Sequence, residues 1–177
     1  MTVLRSIGCL LATLVAVGCG SGGSGADSTE EAGSFLAFAG DFQGFRDWSS
    51  FDVTGESALT EVHQGQVIIY VSDLPPPGLT QFPTGTRIVK EAILEGQPTQ
   101  IFAMAKRGGN FNSGAPGWEW FELEDVAEKN GVKINWRGFG PPAGEKYAGD
   151  LESECNTCHR ACGNDSVCTT HLDLSSF

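Results

Sequence analysis

The chain has 177 residues, of which 40% are hydrophobic and 19% charged, and its formal net charge is −11 at pH 7. This length suits one domain with processing segments, and eleven Phe and four Trp can supply a core. The acidic balance, with no basic run, argues against nucleic-acid binding, because phosphate backbones would be repelled.

Residues 1–18 are predicted to be a lipoprotein signal peptide. A short positively charged start precedes an apolar run, residues 7–17, which is too short to span a membrane. Small residues precede Cys19 as in a lipobox, although Ala16 stands where Leu is commoner. An ordinary secretory signal cut near residues 20–25 is the alternative. The lipoprotein interpretation predicts a lipid on Cys19 and a location in the bacterial cell envelope, facing the periplasm.

A flexible tether, residues 19–33, is predicted from its Gly, Ser and acidic composition. Residues 34–177 are then expected to form one domain. Its aromatic start, residues 34–48, is expected to form one or two short helices.

Strand-forming segments dominate the middle of the chain. They are residues 66–72, 86–94, 100–106, 117–123 and 132–137. Strands that follow one another through short loops favour antiparallel pairing. Residues 145–170 are predicted to be helical. The expected fold class is α+β: a mainly antiparallel sheet with flanking helices and a C-terminal helical segment.

Cys155-Asn156-Thr157-Cys158-His159 is the strongest motif in the sequence. Two thiols at this spacing can add to the two vinyl groups of haem, and the adjacent histidine then lies under the iron. The motif predicts one covalent haem c per chain, with His159 as the proximal ligand. A thioredoxin-type motif does not need the histidine, and a zinc site would want a second Cys/His pair.

Cys162 and Cys168 are predicted to form a disulfide, because an exported chain meets an oxidising compartment. A metal site that combines this pair with His159 or His171 is the alternative.

The second axial position of the iron has no obvious ligand in the sequence. Only 18 residues follow His159, and none is a methionine. Met104 is better explained as a core residue than as a ligand, and His63 is better explained as a solvated loop residue. The sequence therefore favours an open distal face that binds small ligands.

Lys90 is predicted to lie on an apolar strand face. Alternation groups it with Ile88, Ala92 and Leu94. Burial drives an ammonium toward the neutral amine, which is a nucleophile. The alternative is a side chain that extends to solvent at the sheet edge.

Three segments together resemble the cytochrome P-460 family of bacterial mono-haem proteins, to which cytochrome c′-beta is related. They are Phe-Pro-Thr-Gly-Thr-Arg-Ile-Val-Lys-Glu at residues 82–91, Gly-Trp-Glu-Trp-Phe at residues 117–121, and the C-terminal haem motif. The resemblance covers roughly residues 35–174.

The resemblance implies a mainly antiparallel β fold, five-coordinate haem and an open distal face. By match, Lys90 would be bonded to a haem meso carbon. Members oxidise hydroxylamine with nitric oxide as co-substrate or product, whereas the cytochrome c′-beta relatives bind nitric oxide and lack the cross-link. A cytochrome that accepts electrons is an expected partner, and a second copy of the chain is another candidate.

A distal proton acceptor is not assignable from the motifs. Glu152 is the candidate, with Glu154 and Asp150 nearby, but each is also explained as a solvated helix charge. Aromatic side chains that could wall a distal pocket, or belong only to the core, are Phe102, Phe111 and Trp120.

The expected function is that of an exported haem oxidoreductase acting on hydroxylamine or nitric oxide. The alternatives are a protein that binds nitric oxide without turnover and a plain electron-transfer cytochrome.

Overall fold

The computed structural model describes residues 33–56, 65–126, 131–144 and 155–177. The predicted signal peptide, lipid site Cys19 and tether lie almost wholly outside these ranges. So do His63 and the acidic candidates Asp150, Glu152 and Glu154. Among the described residues, none of the helices has the length and hydrophobicity of a membrane span.

Within the described residues, the core of the fold is one antiparallel sheet of six strands. In chain order these are β1 Ser49–Asp52, β2 Gln66–Val71, β3 Arg87–Ile93, β4 Gln100–Lys106, β5 Trp118–Val126 and β6 Gly131–Gly138. Each strand pairs with the one before it, so the spatial order equals the chain order. The mainly antiparallel prediction is therefore confirmed, and β1 is a strand that it did not include.

The described helical content is smaller than the sequence predicts. The aromatic start forms two 3-10 turns, Ala39–Phe42 and Phe45–Asp47. Around the haem motif, the described α-helix is α1, Cys155–Arg160, and residues 145–154 lie outside the described part.

After α1 the chain makes three more 3-10 turns, Asn164–Ser166, Thr170–Leu172 and Leu174–Ser176. The helical prediction for residues 161–170 is wrong. Gly163 and the following three residues all have positive φ, and a right-handed α-helix cannot continue through such residues.

The two faces of the sheet are covered by the first and the last of the described segments. One face, here called the motif face, packs against Val167, Leu172 and Leu174 of the C-terminal segment. The other face packs against Ala37, Phe42 and Phe45 of the N-terminal segment.

A row of directly paired residues crosses the motif face. It runs Phe51, Ile69, Lys90, Phe102, Glu122 and Trp136, from β1 to β6. Residues directly opposite each other on neighbouring strands point to the same side of the sheet. A register shift between Glu122 and Leu123 in the pairing with β6 leaves Trp136 in the motif-face core, whereas Ile134 packs on the other face.

Candidate functional site

The motif cysteines lie on α1 beside the motif face. Cys155 is partly buried and packs against the motif-face core, and Cys158 is exposed. Both thiols are free. Three residues span slightly less than one helical turn, so the two thiols lie near one side of the helix.

Asn156, between the two cysteines, docks α1 onto the sheet. Its amide exchanges two hydrogen bonds of 2.9 Å with the buried Asn112, and its Oδ1 also accepts the Nε1–H of Trp120 at 2.8 Å. The approach is close at Gly114, where an added Cβ would lie 2.7 Å from Asn156 Nδ2. These contacts set the position of α1 against the beginning of β5.

His159 is held in a form that can ligate a metal. Its Nδ1 lies 2.8 Å from the carbonyl oxygen of Ser166. A carbonyl only accepts hydrogen bonds, so Nδ1 carries the proton and Nε2 keeps its lone pair. Burial lowers the pKa of His159 to about 4, against the raising effect of the Ser166 hydrogen bond. The ring of Trp120 packs against the imidazole at 4.4 Å between centroids.

Cys162 and Cys168 form the disulfide predicted from the sequence. Neither residue therefore offers a thiolate, and the alternative metal site built from this pair is not supported. The bridge closes the loop that contains Ser166.

Lys90 lies on the motif face, as its alternation predicts. Its partly buried side chain places Nζ 5.4 Å from the centroid of the Phe102 ring. Burial lowers the pKa of Lys90 to about 7, while the charges of Cys155 and Cys158 act to raise it. Lys90 therefore lies within electrostatic reach of the motif cysteines, and burial favours its neutral amine.

Glu122 is a candidate that the motifs did not reveal. It pairs with Phe102, which in turn pairs with Lys90, so the carboxylate lies on the motif face two strands from the lysine. That spacing corresponds to about 10 Å between their backbones. The alternation of Trp118, Trp120 and Glu122 within one predicted strand was the available signal.

The other residues that the sequence offered as ligands or pocket walls lie in different parts of the structure. Met104 is buried in the motif-face core, as expected of a core methionine. Trp120 contacts His159, whereas Phe111 stacks on Phe139 at 4.8 Å. His171 Nδ1 lies 2.7 Å from a carboxylate oxygen of Glu56.

The residues present fit a covalent haem c. Such a group needs two thiols, an oriented axial nitrogen and apolar walls. Cys155, Cys158 and His159 are the thiols and the nitrogen, and Phe102 and Trp136 are apolar surface on the adjacent sheet face.

Comparison of the chain with protein-family models, curated proteins and solved structures returned no match. Its function is therefore inferred from its own residues and from the resemblance of its motifs.

Proposed function

We propose that this chain is an exported c-type haem oxidoreductase that acts on hydroxylamine or nitric oxide. One observation carries the proposal: the Ser166 carbonyl holds the Nδ1–H of His159 and leaves Nε2 free to ligate, on a helix whose two free cysteines lie within electrostatic reach of Lys90. The resemblance to the cytochrome P-460 family supports the reaction class.

The proposed roles of the motif residues follow from their chemistry. Cys155 and Cys158 would hold the haem through thioether bonds, and His159 Nε2 would ligate its iron. When bound, the haem supplies an iron that takes a small nitrogenous ligand and passes electrons to an external acceptor. We therefore also propose that the C-terminal helix α1 is the segment that attaches the haem.

Lys90 is the proposed third covalent attachment to the haem. Its neutral amine is nucleophilic near pH 7, because burial lowers its pKa to about 7. Replacing the meso C–H and one N–H by a C–N bond is a two-electron oxidation, so this attachment would form only with a two-electron oxidant such as a peroxide as co-reactant. The remaining side chains of its row are mainly apolar, which favours the neutral form of the amine.

Glu122 is the proposed proton acceptor. Oxidation of hydroxylamine releases protons, and a carboxylate on a mainly apolar face can accept them. Its place on the same row as Lys90 supports this role.

The proposal places the protein at the periplasmic face of a membrane through a lipid on Cys19. It includes a cytochrome as electron acceptor, and a second copy of the chain as a further candidate partner.

Absorption spectra of wild type and Lys90→Ala test the cross-link. We expect a strongly red-shifted ferrous Soret band in wild type and an ordinary c-type spectrum in the variant, because the bond to Lys90 alters the macrocycle. Lys133→Ala, at an exposed lysine of β6, is the matched control and should keep the wild-type spectrum. Identical spectra for wild type and Lys90→Ala would contradict the cross-link.

Turnover of hydroxylamine with an artificial electron acceptor tests the activity. Haem and nitric oxide binding without turnover would favour the binding protein. A low-spin spectrum that does not respond to nitric oxide would favour an electron-transfer cytochrome. Wild-type protein whose mass shows no covalent haem would overturn the proposal.

A further inference from the structure

After α1, three consecutive non-glycine residues adopt left-handed backbone conformations. Their φ angles are 34° at Asn164, 52° at Asp165 and 68° at Ser166. Asn and Asp tolerate this region better than most residues, but each such position is unfavourable for a side chain. A strained turn of this kind persists only where its surroundings hold it in place.

Asp165 anchors this turn to the sheet through buried polar contacts. Both carboxylate oxygens lie 2.7 Å from Lys106 Nζ, and the two side chains are only 3% and 5% exposed. The same carboxylate accepts the backbone N–H of Phe82 at 2.8 Å. The Asp165 carbonyl accepts the Nε1–H of Trp118 at 2.7 Å.

Lys106, the partner of Asp165, is itself held in place by several contacts. It is the last residue of β4, and its Nζ also donates to the carbonyl of Pro116 at 2.8 Å. The ammonium lies 5.0 Å from the centroid of the Trp118 ring. Its position is thus set by the sheet and by the segment that leads into β5.

The contacts of Asp165 lie next to the residue whose carbonyl orients His159. Ser166 follows Asp165 directly, and its oxygen accepts the imidazole Nδ1–H at 2.8 Å. A buried ion pair by itself adds little net stability, since desolvation offsets the attraction. The ion pair can instead act by fixing the direction of the Ser166 carbonyl.

We propose that Lys106 and Asp165 are positioning residues for the proximal ligand: their ion pair holds the Ser166 carbonyl against His159 and so sets how strongly the imidazole donates to the iron. This inference rests on the proposed function, because it takes His159 as the haem ligand. A hydrogen bond on Nδ1–H raises the basicity of a ligating imidazole, which favours the oxidised iron.

The test uses the haem-loaded full chain with two variants of opposite charge change, Asp165→Asn and Lys106→Met. Resonance Raman spectroscopy of the ferrous protein reports the iron–histidine stretching frequency, and redox titration reports the reduction potential. We expect the frequency to fall and the potential to rise in both variants, because both release the turn. Asp73→Asn, at an exposed aspartate, is the control and should change neither.

A through-space charge effect would give a different pattern. It would shift the potentials of the two variants in opposite directions and leave the stretching frequency at its wild-type value, and this result would overturn the inference. If Lys106→Met does not accumulate, Asp165→Asn decides alone through the frequency, since it keeps the shape of the side chain. Wild-type protein without covalent haem would overturn both this inference and the proposed function, whereas unchanged frequencies in haem-loaded variants would overturn this inference only.

Discussion

Burial shifts the pKa values of two basic residues at the candidate site. It lowers the pKa of His159 to about 4 and that of Lys90 to about 7. Both residues are therefore shifted toward neutral forms, one able to ligate and the other able to act as a nucleophile. Glu122 adds an acceptor of protons to the same face of the sheet.

Glu122→Gln should leave hydroxylamine binding intact and slow its oxidation. The amide keeps the size of the side chain but cannot accept a proton, and loss of a general base costs about 100-fold or more. Steady-state kinetics with an artificial acceptor measure the effect, and a binding titration followed by absorption measures affinity. Glu124→Gln, an exposed glutamate of the same strand, is the control. Equal rates for the two variants would remove Glu122 from the mechanism.

The helix α1 depends on its surroundings for its position. It has six residues, and a helix this short is not stable in isolation. Asn156 attaches it to Asn112 and Trp120, and the disulfide between Cys162 and Cys168 restrains the chain that follows. The orientation of His159 is thus a property of several elements packed together.

Asn156→Ala should destabilise the attachment of α1. The change leaves the buried amide of Asn112 and the Nε1–H of Trp120 without this partner, which costs about 1–3 kcal/mol in the free energy of unfolding. Urea denaturation measures the loss, and the fraction of chains with covalent haem should fall with it. Thr157→Ala, at the exposed neighbouring position, should behave like wild type. A wild-type denaturation midpoint for Asn156→Ala would show that α1 is held by other contacts.

At the scale of the whole molecule, the first and the last of the described segments close the two faces of one sheet. The C-terminal segment is fastened near β1 by Glu56, whose carboxylate contacts Thr169, Thr170 and His171. Partial burial acts to raise the pKa of Glu56, but hydrogen bonds from His171 and the two threonines outweigh it, so its pKa is lowered.

Low pH should weaken the attachment of the C-terminal segment through Glu56. Because the folded pKa of Glu56 lies below the ordinary value of 4.5, the stabilisation is complete above that value and is lost as the pH falls through the lower folded pKa. Denaturation midpoints at neutral pH and near pH 3 should therefore differ less in Glu56→Gln than in wild type. Glu95→Gln, at an exposed loop residue, should keep the wild-type pH dependence. An unchanged pH dependence in Glu56→Gln would show that this carboxylate does not link stability to pH.

Much of the sheet was predictable, because strand-forming composition and side-chain alternation are local patterns in the sequence. The segment at residues 100–106 coincides with β4, and the alternation of residues 86–94 correctly placed Lys90 with Ile88 and Ala92. β1, with the polar sequence Ser-Ser-Phe-Asp, has no strand signal of its own and forms by pairing with β2. The 3-10 turns after α1 were also not predictable, since distant contacts hold their backbone.

By itself, the sequence determined the Cys-x-x-Cys-His motif, the disulfide pair and the face on which Lys90 lies, because each depends on spacing along a short stretch of chain. Only the tertiary structure decided that Glu122 shares a row with Lys90 and that Lys106 reaches Asp165, 59 residues away. The register of β4 and β5 sets the first contact, and the fold of the C-terminal segment over the sheet sets the second. Such contacts depend on pairing between distant parts of the chain, and no local pattern records them.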